Sequence, residues 1–161
     1  MNREPMLSDV TAVIDSREQT PFDLAPMKIQ AGALQVGDYS VAGLESVIAI
    51  ERKSLADLVA CCGRERERFQ RELNSLRGWP VNAVIVEAGW HDIEGGDWRS
   101  KLTPGQVQSS LASWLSQGHT IILGESPATA AKITRGILFY AARYRYREAK
   151  ELMKQIQTQT C

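Results

Sequence analysis

The residue pattern predicts an α/β domain built on a mixed β-sheet, and three observations lead there. Short β-branched and apolar runs crowd the first fifty residues in a meander. After Ser54 the apolar period lengthens to that of a helix, and from there helical stripes alternate with strand-like runs. At 161 residues and 43% hydrophobic, the chain has the size and apolar content for one packed core.

The elements follow in order. Residues 1–9 are polar and read as loose. Thr11 to Ile14 form a strand that delivers the charged cluster Asp15-Ser16-Arg17-Glu18. Pro21 and Pro26 bracket a loop. Ala33–Val36 and Tyr39–Val41 are strand-like pieces joined by a Gly37-Asp38 turn signal, and Val47–Ile50 runs directly into Glu51-Arg52-Lys53. Ser54 looks like a helix cap, with Leu55, Leu58 and Val59 in helical period behind it. Gly63 interrupts, and a second helix carries Phe69, Leu73 and Leu76 until Gly78 and Pro80. Val81 to Val86 has the look of a buried strand. Residues 88–102 read as a surface loop rich in Gly, Trp and charge. Thr103-Pro104-Gly105-Gln106 opens a helix with a capping Thr, Pro at the first helical position and Gln three residues after the cap. That helix carries Val107, Leu111 and Leu115 and stops at Gly118, before a strand at His119–Leu123. Ser126-Pro127 caps a last long helix with the stripe Ile133, Ile137, Tyr140, Tyr144, and residues 145–161 extend it as a helix or tail. The chain, 1–161, reads as a single domain.

Several classes are excluded by the bulk numbers. Nineteen basic against nineteen acidic residues leave net charge silent about a nucleic-acid partner, so only local clustering can speak. No apolar run approaches a membrane span, and no basic segment leads into an apolar one at the N-terminus, so the chain is expected to be intracellular and away from membranes. Cys61, Cys62 and Cys161 form neither a disulfide framework nor a zinc spacing, which fits a reducing, cytoplasmic setting.

Ionisable residues collect at strand ends. Asp15, Arg17 and Glu18 follow the first strand, Asp38 opens the third, and Glu51 and Lys53 close the fourth, with Asp57 one helical turn on. Alternate residues of a strand share a face, so Glu51 and Lys53 point together and Arg52 points away. Two carboxylates and an ammonium suit phosphodiester hydrolysis. A hard divalent cation such as Mg²⁺ takes one or two carboxylates plus waters and substrate phosphate. Asp38 and Glu51 would supply them, and Lys53 would orient water or offset transition-state charge. Taken singly, each residue also fits a structural role: a solvated strand edge for Glu51 and Lys53, a turn cap for Asp15, a capping box for Asp57. The joint pattern is harder to dismiss.

Val-Ile-Asp-Ser-Arg-Glu (13–18), Val-Gly-Asp-Tyr (36–39) and Glu-Arg-Lys-Ser-Leu-Ala-Asp-Leu (51–58) resemble the signature of XPF-type nucleases, with Gly-Asp, then Glu-Arg-Lys, then a further Asp. The likeness extends more loosely through Arg64, Phe69-Gln70, residues 81–87 and Ser-Pro-Ala-Thr-Ala (126–130). It implies a restriction-endonuclease-like fold, a mixed central sheet flanked by helices, and Mg²⁺- or Mn²⁺-dependent cleavage of branched, flapped or junction-bearing DNA in repair or recombination. Carried over by position, Asp38 and Glu51 are metal ligands with Asp15 a participant, Lys53 is the catalytic lysine, and Arg17, Arg52 and Asp57 support the site. Relatives in archaea and eukaryotes usually carry a tandem helix-hairpin-helix module after this domain. This sequence ends in a long polar helix, which looks more like stand-alone bacterial or phage members.

Arg64, Arg68 and Arg71 are candidate DNA contacts, since phosphate neutralisation gives sequence-independent affinity. Their interleaving with Glu65, Glu67 and Glu72 fits a salt-bridged exposed face as well. His91 and the tryptophans of 88–102 read as surface rather than as a metal site or a base-stacking platform. Activity is favoured over a non-catalytic DNA-binding scaffold because every acid and the lysine are present. Restriction or recombination on the same fold remains an equal alternative in sequence terms. Tyr144, Leu152 and Ile156 extend the last apolar stripe past its own core, which predicts a homodimer.

Overall fold

The computed structural model describes residues 3–159. Six strands form one sheet in the order β2-β1-β3-β4-β5-β6. These are β1 (Thr11–Asp15), β2 (Lys28–Gly32), β3 (Tyr39–Val41), β4 (Ile48–Lys53), β5 (Val81–Val86) and β6 (Ile121–Leu123). β3 runs antiparallel to both β1 and β4, while β1 with β2, β4 with β5, and β5 with β6 are parallel. The helices are α1 (Leu55–Cys62), α2 (Arg66–Leu76), α3 (Trp90–Gly95), α4 (Pro104–Ser116) and α5 (Pro127–Gln159). The α/β class with a mixed sheet is thus as expected.

The sheet divides the core into two layers. On one face Ala12, Ile14, Ile48, Ile50, Ala83 and Ile85 pack against Leu138 and the alanines of α5. On the other, Ala49, Val84 and Val86 meet α1, α2, α3 and α4. The alternation along β4 follows from the pleat: Ile48 and Ile50 face α5, while Ala49 faces α1 and α2. Phe69 of α2 and Trp114 of α4 meet edge to face, centroids 4.9 Å apart, and both are fully buried. Truncating such an aromatic to Ala typically costs about 3–5 kcal/mol.

Several expectations are corrected. The second strand lies at Lys28–Gly32, and residues 33–38 form an irregular segment with bends at 35–38 instead. β2 is an exposed edge: Ile29 and Ala31 alternate with Lys28 and Gln30 over only a few residues, and both face solvent. The 88–102 loop holds a helix, α3, whose buried Ile93 packs on the second core. Leu115 is 50% exposed, and Trp114, one position round the helix, takes the core site instead. Tyr140 and Tyr144, expected to pack, are 65% and 61% exposed. Ala130, Ala131, Thr134 and Leu138 make the contact, because small residues let α5 lie close to the sheet. Residues 3–9, expected to be loose, include a 3-10 turn at Leu7–Asp9. Glu4 there accepts hydrogen bonds from Arg143 (2.7 Å) and Arg147 (2.9 Å) of α5. Cys161 lies outside the described residues, and Cys61 and Cys62 are buried free thiols. Among the described residues, no helix is long and apolar enough to cross a membrane.

Candidate active site

The charged cluster is assembled where β1, β3 and β4 end side by side. Gly37 makes this approach possible. Its φ is +80°, and a Cβ there would stand 3.0 Å from the Ile50 carbonyl oxygen. No other residue fits both constraints without strain. The backbone N–H of Asp38 then donates to Ile50 O, and Asp38 O accepts from Asp15 N–H, both at 2.8 Å. Asp38 is thereby stitched to β4 on one side and β1 on the other.

Asp38 and Glu51 face a common hollow. They line, with Arg17, two adjoining cavities of about 400 and 410 Å³. One of the two also takes in Asp15, Glu18, Arg52, Asp57 and Glu87. Of the four carboxylate oxygens of the pair, Asp38 Oδ2 accepts from Arg52 N–H at 2.8 Å and Glu51 Oε1 from Lys53 Nζ at 2.7 Å. Asp38 Oδ1 and Glu51 Oε2 accept nothing from the described residues. Burial and then the neighbouring Glu51 charge push the Asp38 carboxyl up to about 7. Burial likewise raises Glu51, against the pull of Lys53. Two acids are held partly desolvated with too little positive charge to satisfy them.

Lys53 sits on the same face as Glu51 and is only 8% exposed. Its ammonium reaches Glu51 and, at 3.2 Å, Glu72 of α2, and lies 5.3 Å from the centroid of Phe69. Burial favours losing the proton, but Glu51 and Glu72 outweigh it and hold Lys53 above the ordinary lysine range. It is therefore a permanent cation. It opens on a smaller cavity of about 250 Å³ that it shares with Asp57, Ala60, Arg64 and Arg68.

Arg52, on the opposite face, packs over the Phe22 ring at 4.5 Å and pairs with Glu87 and with Glu18 (3.4 Å). That anchors the strand end whose N–H grips Asp38. Asp15 is different again. Arg17 forks onto both of its oxygens, at 2.7 and 3.1 Å, and the N–H groups of Arg17 and Leu34 add two bonds at 2.9 Å. The Arg17 guanidinium above all pulls Asp15 down to about 2. Asp57 is capped and also faces the cavities: Ser54 Oγ accepts from its N–H (3.1 Å) and donates to its carboxylate (2.7 Å), while its side chain lines a cavity on either side.

Among the described residues, no three His, Cys, Asp or Glu side chains converge into a cage for a metal. A magnesium-type ion does not need one, since one or two carboxylates plus waters and substrate phosphate suffice. The free oxygens of Asp38 and Glu51, with their raised affinity for positive charge, fit that donor set.

Six of the seven expected catalytic residues line one cavity, and Lys53 joins them through Glu51. Arg68 and Arg71 line the second cavity with Asp38 and Glu51. Arg68 pairs with Glu65 at 2.9 Å and Arg64 more loosely at 3.8 Å, so the salt-bridged alternative holds in part for both; among the described residues Arg71 forms no ion pair. Sequence reasoning missed Glu72 and Glu87. Glu87 follows β5, which runs parallel to β4 in the register Lys53 opposite Val86, so a strand pairing would have revealed it. Glu72 carries no such signal.

No protein-family model matches this sequence, and no curated protein does. Solved structures do. XPF from Aeropyrum pernix superposes with a TM-score of 0.66 over 81% of this chain, at 18% identity. The same protein in complex with DNA gives 0.67 over 83%, again at 18% identity. This chain spans 61% and 66% of the length of those two chains. The fold is shared with XPF.

Proposed function

We propose that this protein is a Mg²⁺- or Mn²⁺-dependent endodeoxyribonuclease, with Asp38 and Glu51 holding the cation and branched, flapped or junction DNA as its substrate. The observation that supports it is the pair of under-compensated carboxylates beside a buried, permanently charged lysine. When bound, the cation supplies positive charge against the phosphate and activates water. Asp38 and Glu51 present the oxygens that hold it. Lys53 cannot serve as general base while it keeps its proton, so it acts by donating to the attacking water or to phosphoryl oxygens as charge builds there. Arg52 positions Asp38 through its backbone N–H. Asp15 orients Arg17 toward the cavity mouth instead of binding metal, because its oxygens are occupied. Arg17, Arg68 and Arg71 lie where phosphates would approach the carboxylate pair.

The fold shared with a protein that has been crystallised with DNA supports a DNA substrate. Repair or recombination in a cytoplasmic setting suits such an activity. Purified protein is incubated with labelled single-stranded, duplex, flap, splayed and four-way DNAs in Mg²⁺, Mn²⁺ or EDTA. Metal-dependent cutting concentrated on the flap, splayed or four-way DNAs is the expected result. Absence of cutting in both metals would favour a non-catalytic binding domain.

Assembly as a homodimer belongs to the same reading. Tyr144, Leu152 and Ile156 are exposed along α5. Sedimentation equilibrium should show a full-length dimer and a monomer after truncation at Arg147; a full-length monomer at micromolar concentration rules the dimer out.

A further inference from the structure

A cavity of about 680 Å³, larger than either of those at the carboxylates, lies along the outer side of α1. Its walls are apolar: Val59 and Ala60 of α1, Leu102, and the indole of Trp98. The indole is fixed, donating from Nε1 to Leu102 O at 2.8 Å and packing against the second core. Around it stand Arg64, Arg99 and Lys101, all exposed, with no acid among the lining residues. Arg99 and Lys101 form no ion pair among the described residues. In a chain of zero net charge, this is a local excess of three cations over an apolar floor.

The cavity neighbours the site through shared lining residues. Ala60 and Arg64 also line the hollow that contains Lys53 and Asp57, and Asp57 lines the Asp38–Glu51 cavity. The track follows α1, which at 1.5 Å per residue is roughly 12 Å long. A duplex presents phosphates outward and hides its base faces. Only unpaired nucleotides offer π-faces to an apolar wall and phosphates to a cationic rim together.

Resting on the nuclease reading, we propose that this groove binds the unpaired nucleotides of a DNA arm that lies beside the scissile phosphate, with bases against Trp98 and Leu102 and phosphates on Arg64, Arg99 and Lys101.

Binding is measured in EDTA, by fluorescence anisotropy, for a short oligothymidylate and for an abasic strand of equal length and charge. The wild type should bind the abasic strand about tenfold or more weakly, the scale of losing one or two stacked bases. Arg99→Ala with Lys101→Ala should weaken both strands and flatten their salt dependence. Trp98→Ala, with folding checked by melting, should remove the preference for bases. Equal wild-type affinity for the two strands would overturn the proposal, as would a base preference that survives in folded Trp98→Ala. Because no cleavage is read, a protein that prefers bases but cuts nothing would sink the nuclease reading alone. A protein that cuts branched DNA without that preference would sink the groove alone.

Discussion

Asp15 and Asp38 stand at the ends of neighbouring strands and line one cavity, yet their surroundings drive them in opposite directions. Asp15 accepts four hydrogen bonds and is pulled down to about 2; Asp38 accepts one, beside another carboxylate, and is pushed up to about 7. The first is a finished structural unit that fixes Arg17 and the Leu34 turn. The second is incomplete, and a cation or a proton must complete it. Lining the same cavity thus does not give two carboxylates the same demand for positive charge; that depends on the hydrogen bonds and charges around each.

The largest effect should fall on the incomplete side. Asp38→Ala and Glu51→Ala are expected to cut no faster than wild type in EDTA and to lose metal binding in calorimetry. DNA binding in EDTA should persist or strengthen, since a charge that repels phosphate is gone. Asp15→Asn should mainly lower the melting temperature and keep metal binding. Wild-type cleavage by both Ala variants would dissolve the contrast between the two aspartates.

Next comes Lys53→Ala, with metal still bound and single-turnover cleavage slower by roughly two orders of magnitude or more, typical of a lost electrostatic stabiliser. Because Lys53 stays protonated, its role should leave no basic limb in the pH–rate profile near neutrality. Unchanged turnover would move the catalytic cation elsewhere.

The pH dependence of stability sharpens the comparison further. An unfolded aspartate titrates near ~3.9. Folded Asp38 keeps its proton up to about 7, so between these values the folded state binds more protons than the unfolded one. Metal-free protein should therefore become more stable as pH falls from 8 to 5. Asp15 has the reverse sign: its contribution is complete above the unfolded value and is lost only as pH falls toward about 2. Melting curves in EDTA should show the first slope in wild type and lose it in Asp38→Asn. Adding Mg²⁺ should stabilise more at pH 8 than at pH 5.5, because metal must displace the proton. An equal slope in both proteins would remove Asp38 as its source.

The residues that matter were readable where local grammar carries them. Gly37-Asp38, Glu51-Arg52-Lys53 and Ser54 announce a turn, a strand end and a cap, and each lies where its chemistry suggests. Edge strand β2 was missed because the alternation of Ile29 and Ala31 with Lys28 and Gln30 is too short to stand out, and α3 because six residues hold too little period to register. Of the expected α5 stripe, Ile133 and Ile137 pack on the core, but Tyr140 and Tyr144 face outward, and Ala130, Ala131 and Thr134 went unmarked because they are small. Glu72 and Glu87 reach the site from other elements, through contacts that only the tertiary fold creates.

The smallest effect concerns Asp57, which stands between the two kinds of aspartate. Its backbone is capped by Ser54 Oγ, and its carboxylate accepts one bond from that same hydroxyl. Ser54→Ala removes the cap and should cost about 1 kcal/mol in stability. Asp57→Asn keeps both hydrogen bonds, since the amide carbonyl can accept from Ser54, and gives up only a negative charge near the helix N-terminus, worth about 0.3–1 kcal/mol. If Asp57 served α1 alone, Asp57→Asn would therefore be the milder change by every measure. Its side chain, however, lies between the Lys53 cavity and the Asp38–Glu51 cavity. Cleavage should accordingly fall several-fold in Asp57→Asn while melting scarcely moves. The opposite ranking, a lowered melting temperature with wild-type single-turnover rate, would place Asp57 with Asp15 as a residue of the frame.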